Sequence, residues 1–222
     1  SVMKPLFALS LQADGFAGAS GAEQAVPGMA AMFASFSASF AGFGFFREHG
    51  WGTWDRLRAS SATTPDIMIG KLGPVLGVSL FQLFSLFGLG VLLLGLTISG
   101  SLVALVMIII AFSLAMLGFG MAITALSRTS LQLNTYANIG GIVFAAVGGA
   151  LVPVTVLPQW VQTLAQATPT YWAMQGFLDT ILKGDGVVDA IPGTLVLLAF
   201  AGLFASIAAV KFRFEETKVF YA

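Results

Sequence analysis

Long apolar runs separated by short polar segments set the pattern of this chain. Five stretches are long enough to cross a bilayer as helix, which takes roughly 20 residues. They run over about Val26 to Phe46, Pro74 to Leu96, Leu102 to Leu126, Thr135 to Val156 and Ile191 to Val210. The runs are continuous, as in Leu102-Val-Ala-Leu-Val-Met-Ile-Ile-Ile-Ala-Phe, and lack the alternation that a membrane barrel strand needs. The pattern predicts an all-α integral membrane fold with five spans. Between the fourth and fifth spans, the broken apolar run 157–183 predicts two short helices at, or dipping into, the outer leaflet. Pro153 and Pro158 are expected to break the fourth span near its outer end.

Composition supports the membrane reading. Of 222 residues, 57% are hydrophobic and only 9% charged, against about 25% charged in a soluble domain. Mean hydropathy is +0.92. Formal net charge is zero, which argues against a nucleic-acid partner. The chain has no cysteine, so disulfides and thiolate metal sites are excluded.

Charge placement predicts orientation. Arg47, Arg56, Arg58 and Lys71 follow the first span, Arg128 follows the third, and Lys211, Arg213 and Lys218 follow the fifth. All fall on one side, whereas the other side has only Lys4 and Lys183. The charged loop 47–71 and the C-terminus are therefore expected in the cytoplasm, and residues 1–25 outside. Five spans with an outside start predict one further span upstream; a cleaved signal peptide is the alternative.

Candidate chemistry is sparse. Gly18-Ala19-Ser20-Gly21 matches the nucleophile motif of rhomboid-type intramembrane proteases. That chemistry needs a histidine base within hydrogen-bond reach. The one histidine, His49, is predicted at the opposite membrane face, and a flexible small-residue linker is the plainer reading of Ser20. No charge falls inside the five apolar cores, which argues against a proton pump, a voltage sensor or an ion channel. Gln82, Thr124 and Asn138 are polar residues within spans, suited to interhelical hydrogen bonds. Ala34, Ala38 and Gly42, and likewise Gly141, Ala145 and Gly149, form small-residue faces that let helices approach closely. Phe33, Phe36, Phe40 and Phe43 form a stripe opposite the first of these.

In loop 47–71, Trp51, Trp54 and Leu57 share a face at helical spacing. An interfacial amphipathic helix fits, either as a membrane anchor or as a docking surface for a soluble partner.

The order of these features resembles the ABC type-2 exporter permeases. Val26-Pro27-Gly28-Met29 opens the first span, and Arg47-Glu48 with Gly52-Thr53 and Arg56-Leu57 matches the family's Arg-Glu-x-x-x-Gly-Thr-x-x-Arg-Leu loop. Gly70-Lys71 closes that loop. Gly148-Gly149 with Pro153, then Leu157-Pro158-x-Trp160 and Thr168-Pro169-x-x-Trp172, match the outer re-entrant region.

The resemblance implies the C-terminal part of a six-helix permease in the plasma membrane of a bacterium, acting with a second permease, the same chain or a related one. It implies a coupling helix formed by Glu48, Trp51, Gly52, Thr53, Trp54, Arg56 and Leu57, seated on an ATP-binding cassette ATPase. In it Glu48 and Arg56 make polar contacts, Gly52 permits close approach, Thr53 caps, and the tryptophans anchor. The chain itself lacks a phosphate-binding loop and is not expected to bind a cofactor or metal; ATP and Mg belong to the partner ATPase. A substrate path is expected near Phe36, Phe40 and Asn138, with apolar or amphipathic cargo such as a drug or lipid.

Overall fold

The computed structural model describes residues 21–211, apart from 54, 55, 57, 58 and 62 and the side chains of 38, 39, 41, 49, 64 and 65. Regular structure among them is helical. The elements are α1 (Gly21–Gly50), α2 (Thr64–Leu94), α3 (Leu102–Leu126), α4 (Ser130–Val147), a 3-10 turn (Val154–Val156), α5 (Gln159–Ala165), α6 (Pro169–Leu178), a π turn (Asp179–Lys183) and α7 (Val187–Lys211).

Four helices are long and apolar enough to cross a membrane: Gly21–Glu48, Asp66–Leu94, Leu102–Leu126 and Val187–Lys211. The fourth predicted span differs. Its helix, α4, has 18 residues and stops at Val147, ahead of both Pro153 and Pro158. The break comes from Gly149, whose φ of +90° lies in the left-handed region that favours glycine. The Ala150 N–H then bonds back to the Ala145 carbonyl at 2.9 Å, closing the helix as a Schellman motif. Pro158 does not break a helix but starts one, as the N-cap of α5.

Other boundaries also move. Residues 21–25, expected in an outer segment, belong to α1. α2 begins ten residues before Pro74, because Thr63, Pro65 and Asp66 together make a strong helix start. The Thr63 N–H and hydroxyl both donate to the Asp66 carboxylate, at 2.9 and 2.5 Å. The loop expected over 47–71 is therefore reduced to residues 51–63.

α3 is the central element, packing on α1, α2, α6 and most extensively α7. Its side chains from Ala104 to Thr124 are largely buried. Phe177 of α6 reaches the same core, 4.9 Å from Phe87 and 6.3 Å edge-on from Phe112. Toward the other end, Phe119 of α3 stacks with Phe144 at 4.7 Å and Phe204 at 5.5 Å. The buried hydroxyls of Ser35 and Thr124 are satisfied within their own helices, by the Ala31 and Gly120 carbonyls. Phe81, Phe84, Leu92 and Leu93 of α2 lie exposed. An apolar surface of this kind on several long helices belongs in lipid, so the protein is membrane-embedded.

Candidate functional site

The charged ends of α1 and α2 meet. Lys71 Nζ lies 2.5 Å from Glu48 Oε2 and donates to the Gly44 carbonyl at 3.2 Å. It also sits 4.8 Å from the Phe45 ring centre. The two side chains are only 12% and 29% exposed, so this pair is shielded from the screening that weakens surface ion pairs. It fastens the last turns of α1 to the second turn of α2. Glu48, expected to face a partner, thus has an ion pair within its own chain.

Beyond Glu48 the chain turns sharply. Gly52 has φ +67°, and the Thr53 N–H bonds to the Glu48 carbonyl at 3.1 Å, a second Schellman closure. The Thr53 hydroxyl approaches the same carbonyl at 3.4 Å. A Cβ at Gly52 would meet no atom of the described residues within 4 Å. Backbone conformation is what favours glycine here. Trp51 is exposed, with the Arg47 guanidinium 4.4 Å above its ring. Arg56 is exposed. Trp54 and Leu57 lie outside the described residues.

α1 and α4 run antiparallel, and three close approaches fix their register. A Cβ at Gly42 would lie 2.7 Å from Leu133, one at Gly141 would lie 3.4 Å from Phe36 and Ser35, and one at Gly28 would overlap the Ala150 carbonyl oxygen. Asn138 therefore sits at the depth of residues 37–39, between the levels of Phe36 and Phe40 and near the middle of α1. Phe36 touches α4 at Gly141. Phe33 and Phe40 face outward, as do Tyr136, Ile139 and Val143 of α4. Asn138 donates to the Asn134 side chain one turn earlier. The Ser37 hydroxyl lies 2.9 Å from Gln82 Oε1, joining α1 to α2 at the same depth.

At the opposite end, motifs far apart in sequence come together. Gln24 Nε2 donates to the Gly149 carbonyl at 3.2 Å, and Gly28 packs beneath Ala150. Gly148 packs against Thr170 of α6. Thr168 caps α6: its hydroxyl accepts from the Tyr171 N–H at 3.3 Å and donates to the Ala165 carbonyl at 2.7 Å. Pro169 fills the first turn, where its missing N–H costs nothing. Trp172 Nε1 bonds the Gln166 carbonyl at 2.9 Å, whereas Trp160 of α5 is exposed. Pro153 precedes the 3-10 turn. The α2–α3 and α6–α7 connections are tied by backbone bonds from Ser99, Gly100 and Ser101 to Ile181, Thr180 and Asp185. Lys183 pairs with Asp179 at 2.6 Å, which holds its ammonium above the ordinary lysine value.

Residues 1–182 match the ABC-2 type transporter family. The chain belongs to this family. It is 29% identical over 159 residues to "Linearmycin resistance permease protein LnrN" of Bacillus subtilis, an alignment covering 68% of this chain and 39% of that protein. It is 32% identical over 175 residues to "Probable multidrug ABC transporter permease YbhR" of Escherichia coli, covering 75% and 45%. "Inner membrane transport permease YhhJ" of Escherichia coli is 28% identical over 174 residues, covering 78% and 46%. The chain thus matches less than half the length of these relatives. No solved structure matches.

The Val26–Met29, Arg47–Leu57 and Gly148–Trp172 motifs all lie within the matched residues. Ser20 lies outside the described residues, as does the side chain of His49, and the family is one of transport permeases, not proteases. Sequence reasoning missed the Glu48–Lys71 pair, because the two residues lie 23 positions apart on different helices. It also missed Asn134, although the four-residue spacing to Asn138 was a usable signal.

Proposed function

We propose that this chain is the membrane-spanning part of an ATP-driven exporter that moves apolar or amphipathic cargo outward. One observation carries the reading. The outward face of α1 and α4 combines large aromatic and aliphatic side chains with an amide pair, Asn134 and Asn138, that reaches mid-helix depth. An amide facing lipid at that depth is costly. A face of mixed character suits the inside of an assembly, where a second permease and the cargo cover it. The cargo path then passes Phe36, Phe40 and Asn138. The resistance and multidrug names of relatives agree with drug-like cargo.

In this reading the membrane is the plasma membrane of a bacterium, and the C-terminus is cytoplasmic. α4 is the fifth span, shortened, and α5 and α6 form the outer re-entrant pair around Pro153, Pro158, Trp160, Pro169 and Trp172. Trp51–Leu57 docks on an ATP-binding cassette ATPase, which binds ATP and Mg. The Glu48–Lys71 pair carries the push from that docking segment into α1 and α2 together. Differential affinity of the ATPase for ATP in two states must supply the driving energy.

The test is reconstitution of the full-length permease with its ATPase in vesicles. Cargo uptake into inside-out vesicles should require ATP, and Gly52→Trp should uncouple hydrolysis from uptake while the permease stays folded. Uptake that ignores Gly52→Trp removes the coupling assignment. Catalysis by the permease alone, lost in Ser20→Ala, would instead establish an intramembrane enzyme.

A further inference from the structure

A hydroxyl on a buried helix can bond the carbonyl one turn earlier. Ser35, Ser37, Thr124 and Thr194 do so here, at 2.6 to 3.0 Å. Ser79 of α2 and Ser113 of α3 do not. Among the described residues their hydroxyls meet only each other, at 3.4 Å. Hydroxyl pairs ordinarily close to about 2.7–2.8 Å, so this bond is weak. It also uses only one of the two hydroxyl hydrogens. The other has no acceptor among the described residues, although Ser79 is 6% and Ser113 0% exposed.

The pair lies deep in the bundle. Ser113 stands at the middle of α3, and Ser79 is one turn before Gln82, near the depth where Ser37 joins α1 to α2. An unmet hydroxyl hydrogen is costly there, since acyl chains offer no acceptor. A small cavity lies at the same place. Its wall includes Ser37 of α1, Val75 and Ser79 of α2, and Ser113 and Met116 of α3. It leaves about 10 Å³ for the centre of a water molecule, which is roughly the room that one water needs. A buried water also needs two to four polar partners. Three serines, one from each helix, supply them.

We propose that this cavity binds one structural water. The water accepts the remaining hydrogen of the Ser79 and Ser113 pair and donates to serine oxygens, that of Ser37 included. Gln82, Ser37, Ser79 and Ser113 then form one polar chain that ties α1, α2 and α3 together at mid-depth. The inference rests on membrane embedding and not on the exporter reading.

The test is X-ray radiolysis of the full-length permease in lipid vesicles. Millisecond pulses split water into hydroxyl radicals, which oxidise the side chains beside that water, and mass spectrometry reads the oxidised peptides. Met116 is the reporter, because it lines the cavity and is only 1% exposed. Two methionines serve as controls of the same chemistry. Met174 is buried in the main apolar core, and Met121 lines a larger apolar cavity between α2, α3 and α7. Met116 should be oxidised severalfold faster than either.

Ser79→Ala/Ser113→Ala makes the cavity larger but removes its polar partners, and apolar cavities stay dry. Oxidation of Met116 should therefore fall to the Met174 rate. Ser206→Ala, which removes an exposed hydroxyl bonded to the Gly202 carbonyl, should leave it unchanged. Alanine favours helix, so these variants keep their helices. The rates are read as the ratio of Met116 to Met174, because unfolding would raise both. A wild-type Met116 rate no higher than that of Met174 or Met121 overturns the proposal. So does a ratio that holds or rises in the double alanine variant, which would mean that water enters by space alone.

Discussion

Two glycines two positions apart on α1 make opposite predictions. At Gly42 an added Cβ would overlap Thr124 Oγ1 and lie 2.7 Å from Leu133 Cδ2, closer than real contacts allow. Thr124 cannot simply rotate away, because its hydroxyl is bonded to the Gly120 carbonyl at 2.6 Å. Gly42→Ala must therefore displace α1 from α3 and α4 or break that bond. Over-packing costs about 1–3 kcal/mol, and a lost intramembrane hydrogen bond adds roughly 0.6–1.7. The sum is about 2–5 kcal/mol. For a chain of this size that is a fall in melting temperature on the order of 10 °C.

Gly44 has no atom of the described residues within 4 Å of its Cβ position. There, Gly44→Ala removes only a poor helix former and should be neutral or stabilising by up to about 1 kcal/mol. Thermal melting of the purified full-length permease in detergent, followed by loss of its monodisperse peak, reads both variants. Adding Thr124→Ala should return part of the loss in Gly42→Ala, since it removes the atom in closest conflict. Equal melting of Gly42→Ala and Gly44→Ala would refute the packing argument, as would a double variant no better than the single one.

Lys71→Met leaves the half-buried Glu48 carboxylate without its partner. It should lower the melting temperature and reduce cargo moved per ATP severalfold, with Glu48→Gln/Lys71→Met less impaired than Lys71→Met alone; a double-mutant cycle in reconstituted vesicles checks this. Gly52→Ala should cost about 1–2 kcal/mol through the left-handed conformation alone, and Gly52→Asn clearly less, as read by the same melts. Ser37→Ala removes a bond to Gln82 between α1 and α2 and should cost roughly 0.6–1.7 kcal/mol, with no further loss when Gln82→Leu is added. Asp179 raises the Lys183 value above 10.5, so their attraction is fully present below that pH and is lost as pH rises through the raised value. The melting difference between wild type and Lys183→Met should therefore be flat from about pH 7 to about pH 9, and small, because the lysine side chain is 60% exposed.

The apolar runs were enough to determine helices, a membrane location and the positions of α1, α2, α3 and α7 to within a few turns. Hydrophobic length and local propensity are one-dimensional properties, and they are written in consecutive residues. The motifs in order were enough to place the chain in its family. Helix ends were less legible. Apolar side chains continue past Val147 through Ala150, Leu151 and Val152, so the end of α4 depended on one left-handed glycine that hydropathy does not register. The start of α2 was readable in Thr63, Pro65 and Asp66, but the apolar run begins later and masked it.

Only the tertiary structure decided which motifs meet. Gln24 and Gly28 join Gly149 and Ala150 across more than 120 residues. Lys71 closes on Glu48, and Asn138 shares its depth with Phe36 and Phe40. These contacts depend on the register and rotation of packed helices. Those are set jointly by many small residues on several elements, so no single stretch of sequence contains them.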